Sequence, residues 1–328
     1  MASITVPPSL ILERILSLEI VRVTERAAVN AARLRGRGDK HGADQAAVDA
    51  MRRELNKLPI DGTVVIGEGE LDEAPMLFIG EKVGAPGGFK VDIAVDPLEG
   101  TNLCAKNMPG AIATLAMAEG GTLLHAPDIY MDKIAIGPGY PKGVVDLDAP
   151  VEENIRNLAK AKGVKPQSIT AMLLDRPRHD ALIAGVREAG ASVSLIPDGD
   201  VAGVIHTADA QKSGIDIFLG VGGAPEGVLA AAALRCIGGQ MQARLVVDTE
   251  ERRERIAKMG IKDAKRKYQI EDMVRGDCLF AATGVTDGRM LEGVKFGDGI
   301  IETETVVMRS VTGTVRWIRA EHRQLDKF

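Results

Sequence analysis

Between residues 151 and 238 the chain alternates helix-like and strand-like segments with almost nothing left over. Helix "VEENIRNLAKAK" is followed by strand "ITAMLLD" and helix "DALIAGVREAG"; strand "SVSLIPDGD" and helix "VAGVIHTAD" come next, then strand "IDIFLGVGGAPEG" and helix "VLAAAALRCIGG". Such alternation is the signature of a parallel, doubly wound sheet. Ligands of these sheets gather at the carboxyl ends of the strands. Here those ends read "DRPRH", "PDGD", "GVGGAPEG" and, further on, "ATGVTDG".

The first half has a different character. Residues 9–35 form an amphipathic helix pattern, with Leu10, Ile11, Ile15, Leu18, Val21 and Val29 recurring near period 3.6. "RGRGDKHG" breaks it, and residues 43–58 start a second helix with Asp44 in the first turn. Strand-like "TVVIGEGE" and "VDIAVDPLEGT" follow, then "AIATLAMAEGGTLLHAPDIYMDKIAIGPG", where Gly120-Gly121 signals a hairpin. The expectation is an α+β half, long helices on one side of a largely antiparallel sheet, spanning 1–165, and an α/β half spanning 166–328.

A chain of 328 residues holds one large domain or two ordinary ones, and 45% hydrophobic with 3% aromatic content means aliphatic cores. A net charge of −5 argues against a nucleic-acid partner, while the local basic runs "RLRGRGDK" and "DRPRH" suit small anions. Cys104, Cys236 and Cys278 are odd in number, form no Cys-x-x-Cys pair and point to a reduced, cytoplasmic setting. The start "SLILERILSLEI" is interrupted by charges, so neither a signal peptide nor a membrane span is expected.

The stretch "VDIAVDPLEGTN" carries the most chemistry. Asp96 ends an apolar strand, Pro97 stops its ladder and Gly100 permits a tight turn, so Asp96 and Glu99 can face one cavity. Two uncompensated carboxylates there are costly, and an oxygen-only donor set without His or Cys suits a hard ion, Mg²⁺ or Mn²⁺. Backbone N–H groups near Gly100 and Thr101 offer a phosphate cradle. On this stretch alone, an Asx-type turn beside a solvated glutamate fits as well. "IGEGELDEAP" adds Glu68, Glu70, Asp72 and Glu73 between glycines after another strand. An acidic loop is most often merely solvated, but two such strand ends favour a shared metal site. Asp44 can join it as ligand or base, with Lys40 balancing charge or touching a phosphate.

Taken in order, "VVIGEGELDEAPMLFIGEKVG", "VDIAVDPLEGT", "APDIYM", "RPRHD", "IPDGDV", "GGAPEG" and "LFAATGVTDG" resemble class II fructose-1,6-bisphosphatases, of the lithium-sensitive, metal-dependent sugar phosphatase superfamily. The resemblance runs from about Leu18 onward. It implies a layered αβαβα sugar-phosphatase fold and hydrolysis of the 1-phosphate of fructose 1,6-bisphosphate. It further implies metal ligation by Asp44, Glu68, Asp96 and Glu99. Substrate contacts fall to Glu99, Gly100, Thr101, Tyr130, Arg176, Pro177, Arg178, Asp198, Gly199, Asp200 and Gly223. Catalytic roles fall to Lys40, Asp72, Thr101 and Glu226. Arg176 and Arg178 can clamp the far phosphate with planar forks, and Asp198 and Asp200 can accept from sugar hydroxyls. A homodimer or homotetramer is implied as well, serving gluconeogenesis or a carbon-fixation cycle.

Departures from the family pattern are local. His41-Gly42 stands where relatives have Asn-Thr, Glu99 replaces the superfamily's common Asp, and the only tryptophan, Trp317, precedes Ile318 rather than an aspartate. Glu226 covers part of that late ligand's role. Related substrates (sedoheptulose 1,7-bisphosphate, an inositol phosphate, a 3′-phosphonucleotide) are the nearest rivals. A nucleotide-dependent oxidoreductase is disfavoured, because neither "GVGGAPEG" nor "IGEGE" is a Gly-x-Gly-x-x-Gly opening a first βαβ unit.

Overall fold

Leu16, Ile20, Val23, Ala27 and Ala31 recur at three- and four-residue spacing, and all five are fully buried. They build helix α1 (Leu16–Ala32). The computed structural model describes residues 15–69 and 76–328, so the beginning of the expected helix at 9–14 lies outside the described residues. Helix α2 (Lys40–Leu55) starts three residues earlier than expected, because Asp39 caps it by accepting a hydrogen bond from the Gly42 N–H at 2.8 Å. Strands β1 (Ile60–Ile66), β2 (Lys82–Gly84) and β3 (Phe89–Glu99), the short helix α3 (Thr101–Ala105) and strand β4 (Ile112–Glu119) follow.

The chain then enters a second compact unit. Strand β5 (Tyr130–Ile136) leads to helix α4 (Val151–Lys162), β6 (Thr170–Leu174), α5 (Asp180–Glu188), β7 (Ser192–Ile196), α6 (Asp200–Ile205), β8 (Ile217–Gly223) and α7 (Ala224–Ile237). Strand β9 (Gln240–Leu245), helix α8 (Glu250–Lys258) and β10 (Tyr268–Gln269) complete it. The last segment supplies β11 (Cys278–Gly284), β12 (Lys295–Gly297), β13 (Ile300–Arg309) and β14 (Thr314–His322).

Contacts divide the chain differently from the boundary expected at 165. One unit runs to Leu123 and resumes at Val274; the other is Leu124–Met273. In the first, the strand order is β12-β13-β11-β4-β3-β1-β2, with β14 on β13. Only β1 and β3 are parallel; the other pairings are antiparallel, as expected for this half. Val64, Ile93, Val95, Leu115, Met117 and Leu279 share one core with α1 and α2.

The second sheet has the order β10-β9-β5-β8-β6-β7. It is mixed rather than wholly parallel: β6 is parallel to both β7 and β8, whereas β5 is antiparallel to β8 and β9, and β10 to β9. Its core gathers Ile134, Ile155, Leu158, Leu173, Val186 and Leu219. Two strands sit in the sheet other than the one expected. The "YMDKIAI" strand belongs here, so Gly120-Gly121 is a turn out of β4 and not a hairpin. "CLFAATG" instead lies antiparallel between β4 and β13 in the first sheet. All seven of its residues are buried, and a strand apolar on both faces reads alike whichever sheet takes it. The chain is therefore a mixed α/β protein with two mixed sheets.

Candidate active site

Residues 96–100 are the turning point of the first unit. The strand does not stop at Asp96 as expected; β3 continues through Pro97 to Glu99. Asp96 pairs with Thr114 and Glu99 with Ile112, so three steps on β3 face two on β4. This is a β-bulge around Pro97, the residue that has no N–H for the ladder. In a regular strand, residues three apart face opposite sides; one extra residue turns them to the same side. The Asp96 and Glu99 carboxylates accordingly come within 4.8 Å of each other. Glu99 is buried at 5% exposure, and Asp96 Oδ1 accepts a hydrogen bond from the Leu98 N–H at 3.1 Å. Two acids this close, one of them buried, offer an oxygen donor pair that suits a hard divalent cation.

Gly100 then adopts φ +83°, a left-handed conformation costly for any residue with a Cβ, and opens α3. Thr101 is the first residue of this five-residue helix. A single turn gives too little aligned dipole for a phosphate site of its own. The C-terminal end of α3 is held from the other side, since Gly36 N–H and Gly38 N–H each donate at 2.9 Å, to Cys104 O and Ala105 O. Those glycines lie in the "RGRGDK" connection, so the same contacts fix the start of α2, where Lys40 is exposed and Asp44 half-buried. Burial pushes the Asp44 carboxyl above its usual range, with His41 opposing.

Glu68 follows β1. Its neighbour Ile66 pairs with Ala94, two residues before Asp96, which sets Glu68 at the matching end of the adjacent parallel strand. Among the described residues, neither Asp44 nor Glu68 closes to within 4.8 Å of both Asp96 and Glu99. Asp72 lies outside the described residues. The His41-Gly42 departure has a local consequence: a Cβ at position 42 would overlap the Asp39 carboxylate that caps α2. Cys104 is inert filler. It is fully buried, its Sγ faces Ala31 O at 3.6 Å, and burial raises its thiol to about 11.

In the second unit, parallel pairing brings the carboxyl ends of β6, β7 and β8 to one edge of the sheet. Tyr130 opens the antiparallel β5 opposite Gly223, at the same edge. Arg176, Pro177, Arg178, Asp198, Gly199, Asp200, Gly223, Glu226 and Tyr130 are thereby gathered along it. Gly199 takes φ +86° and starts α6, whose first residue, Asp200, is 6% exposed. Arg176 lies 4.0 Å from Asp198. Arg178 uses Nε and Nη2 to bond Val221 O at 3.1 and 2.8 Å, so its fork is engaged with the backbone rather than fully available to a phosphate. Its guanidinium lies 4.9 Å from the Tyr130 ring centre, and that of Arg252 lies 5.5 Å from it.

A cleft of about 450 Å³ opens here, lined by Asp128, Tyr130, Gly223, Glu226, Arg252 and Arg255 among others. Glu226, in the first turn of α7, is unusual. Its Oε2 is shut off from solvent and meets no hydrogen-bond donor among the described residues. Burial first, and the nearby Asp200 charge second, push its carboxyl up to about 7, while Lys133 opposes.

Three residues at this edge escape a reading of the sequence. Lys133 interrupts an apolar strand and is 1% exposed; it pairs with Asp200. His179 is fully buried: Nδ1 donates to Leu174 O and Nε2 accepts from Val221 N–H, both at 2.8 Å, which pins the "RPRH" turn to β8. Arg252 sits in a helix that reads as solvated charge. Only Lys133 left a signal, as a lone cation at an inward position of a strand.

Bulge-paired carboxylates suit a hard divalent cation, and an edge of arginines, aspartates and close-packed glycines suits a phosphorylated ligand, the two requirements of a metal-dependent phosphate monoester hydrolase. Comparison with known proteins makes this particular. The family model described as "Bacterial fructose-1,6-bisphosphatase, glpX-encoded" matches residues 14–322. The chain is 46% identical over 332 residues to the "D-fructose 1,6-bisphosphatase class 2/sedoheptulose 1,7-bisphosphatase" of Synechococcus sp. (strain JA-3-3Ab), covering 94% of this chain and 95% of that protein. It is 47% identical over 325 residues to the "Fructose-1,6-bisphosphatase 1 class 2" of Escherichia coli (strain K12), covering 95% and 96%. This chain belongs to the bacterial class 2 fructose-1,6-bisphosphatase family.

Proposed function

We propose that this enzyme hydrolyses the 1-phosphate of fructose 1,6-bisphosphate, releasing fructose 6-phosphate and inorganic phosphate. The observation that carries the reading is the bulge that turns Asp96 and Glu99 to one side, within 4.8 Å. A hard divalent cation, Mg²⁺ or Mn²⁺, held by Asp96 and Glu99 with Asp44 and Glu68 contributing, would neutralise the reacting phosphate and acidify the attacking water. Thr101 orients that water with Asp44 or Asp72, while Gly100 lets the backbone approach the phosphate closely. Lys40 balances the charge of the acidic group.

At the edge of the second sheet, Asp198 and Asp200 accept from sugar hydroxyls and Tyr130 offers a flat wall. Arg176, with the part of Arg178 not bonded to Val221, takes the far phosphate. Glu226 serves as a carboxylate near the reaction. Positioning and charge stabilisation dominate such a reaction.

The name of the Synechococcus relative favours a second substrate, sedoheptulose 1,7-bisphosphate, for the same site. A cytoplasmic homo-oligomer completes the proposal. The cytoplasmic setting accords with three buried free cysteines, and no described helix is long and apolar enough to cross a membrane. The test is phosphate release from both sugars with Mg²⁺, with Mn²⁺ and with EDTA. Asp96→Asn should fold normally and lose at least about a thousandfold in kcat. Retained turnover in that variant, or undiminished turnover in EDTA, would refute the assignment.

A further inference from the structure

Lys133 is among the largest fully buried side chains of the described residues and lies in β5, between β8 and β9. Its ammonium pairs with Asp200 Oδ2 and donates to Gly223 O at 2.8 Å. Room for this is made by missing side chains. A Cβ on Gly222 would overlap the Asp200 carboxylate and stand 3.1 Å from the lysine Nζ; one on Gly227 would stand 2.7 Å from Sδ of Met131, two residues before the lysine on the same strand.

Stability does not account for the arrangement. Taking an ammonium and a carboxylate out of water carries a large desolvation penalty for each, and well-packed apolar side chains of similar volume serve a core at least as well. What the lysine does that an apolar residue cannot is join two turns that belong to different strands. Asp200 follows β7 in "PDGD", and Gly223 ends β8 in "GGAPEG". One carboxylate oxygen of Asp200 is held, which fixes the direction of the other.

We propose that Lys133 is the positioning residue for sugar recognition, orienting the Asp200 carboxylate and the Gly223 turn through its two hydrogen bonds. The inference rests on the proposed substrate class. It commits Lys133 to the sugar hydroxyls and not to the phosphate being cleaved. Its loss therefore discriminates between ligands that carry the sugar and those that do not.

The experiment uses the full chain with saturating Mg²⁺. Lys133→Met should keep its circular dichroism, raise the KM for fructose 1,6-bisphosphate at least about tenfold, and weaken fructose 6-phosphate as a product inhibitor similarly. Inhibition by inorganic phosphate should stay within about twofold. Where Lys133→Met fails to fold, Gly222→Ala provides the second arm: it pushes Asp200 away while leaving the lysine, and should show the same sugar-selective loss. Equal weakening of fructose 6-phosphate and phosphate, or a KM within about twofold of the parent in the folded variant, overturns the proposal. A parent enzyme with no fructose 1,6-bisphosphate turnover would instead sink the substrate assignment, so the two failures are distinguishable.

Discussion

Glu226→Gln should stabilise the metal-free enzyme, and by an amount that grows with pH. The Glu226 carboxyl is raised from 4.5 to about 7, chiefly by burial and then by the Asp200 charge. A folded-state value above the unfolded one means that the folded protein keeps a proton the unfolded chain has already released. Stability is thus unaffected below about pH 4.5, falls as pH rises towards 7 and then levels off. At about 1.4 kcal/mol per unit, the cost reaches about 3 kcal/mol at pH 8. Glutamine matches the protonated carboxyl in shape and carries no charge, so it removes most of that cost. Urea unfolding of parent and variant in EDTA, from pH 5 to pH 8, reads the difference directly. The gain should be under about 1 kcal/mol at pH 5 and about 3 kcal/mol at pH 8. A gain independent of pH, or a loss at pH 8, would refute the buried carboxylate, with its unpartnered Oε2, described here.

Gly100→Ala forces a Cβ into a backbone at φ +83° and against Leu103, and should cost about 1–2 kcal/mol in chemical denaturation; an unchanged midpoint would mean that the turn relaxes freely. The Cys104 thiol, raised to about 11 by burial, holds only about one part in a thousand thiolate at pH 8, so aromatic disulfide reagents should label it only after unfolding. Rapid native-state labelling, located by peptide mapping, would contradict its burial.

The sequence is most transparent where local pattern and chemistry coincide. The alternation around "ITAMLLD", "SVSLI" and "IDIFLGVGG" yields three mutually parallel strands, and it is their shared direction that gathers Arg176, Asp198 and Glu226 at one edge. Asp96 and Glu99 were legible as a pair, but the device that pairs them was not. A proline after an acid reads as the end of a strand, whereas the ladder absorbs it as a bulge and goes on. "YMDKIAI" and "CLFAATG" show the opposite difficulty. Each is recognisable as a strand, yet the choice of sheet depends on one partner strand more than a hundred residues away, as Lys133 with Ala243 and Ala282 with Thr114 show. His179 is silent for another reason. Its role consists of bonds to a backbone carbonyl and a backbone amide, Leu174 O and Val221 N–H, whose positions no side-chain pattern records.

The placement of β11 between β4 and β13 has a consequence for biosynthesis. When β4 emerges from the ribosome, its neighbour on that side has not been made, and all of 124–273 must be translated first. The inserted stretch has its own core and can condense meanwhile. The nascent first sheet, though, waits with an apolar strand edge uncovered. Chaperone demand should therefore peak during that interval and subside once Leu279 and Ala281 reach their places beside Met117 and Leu115.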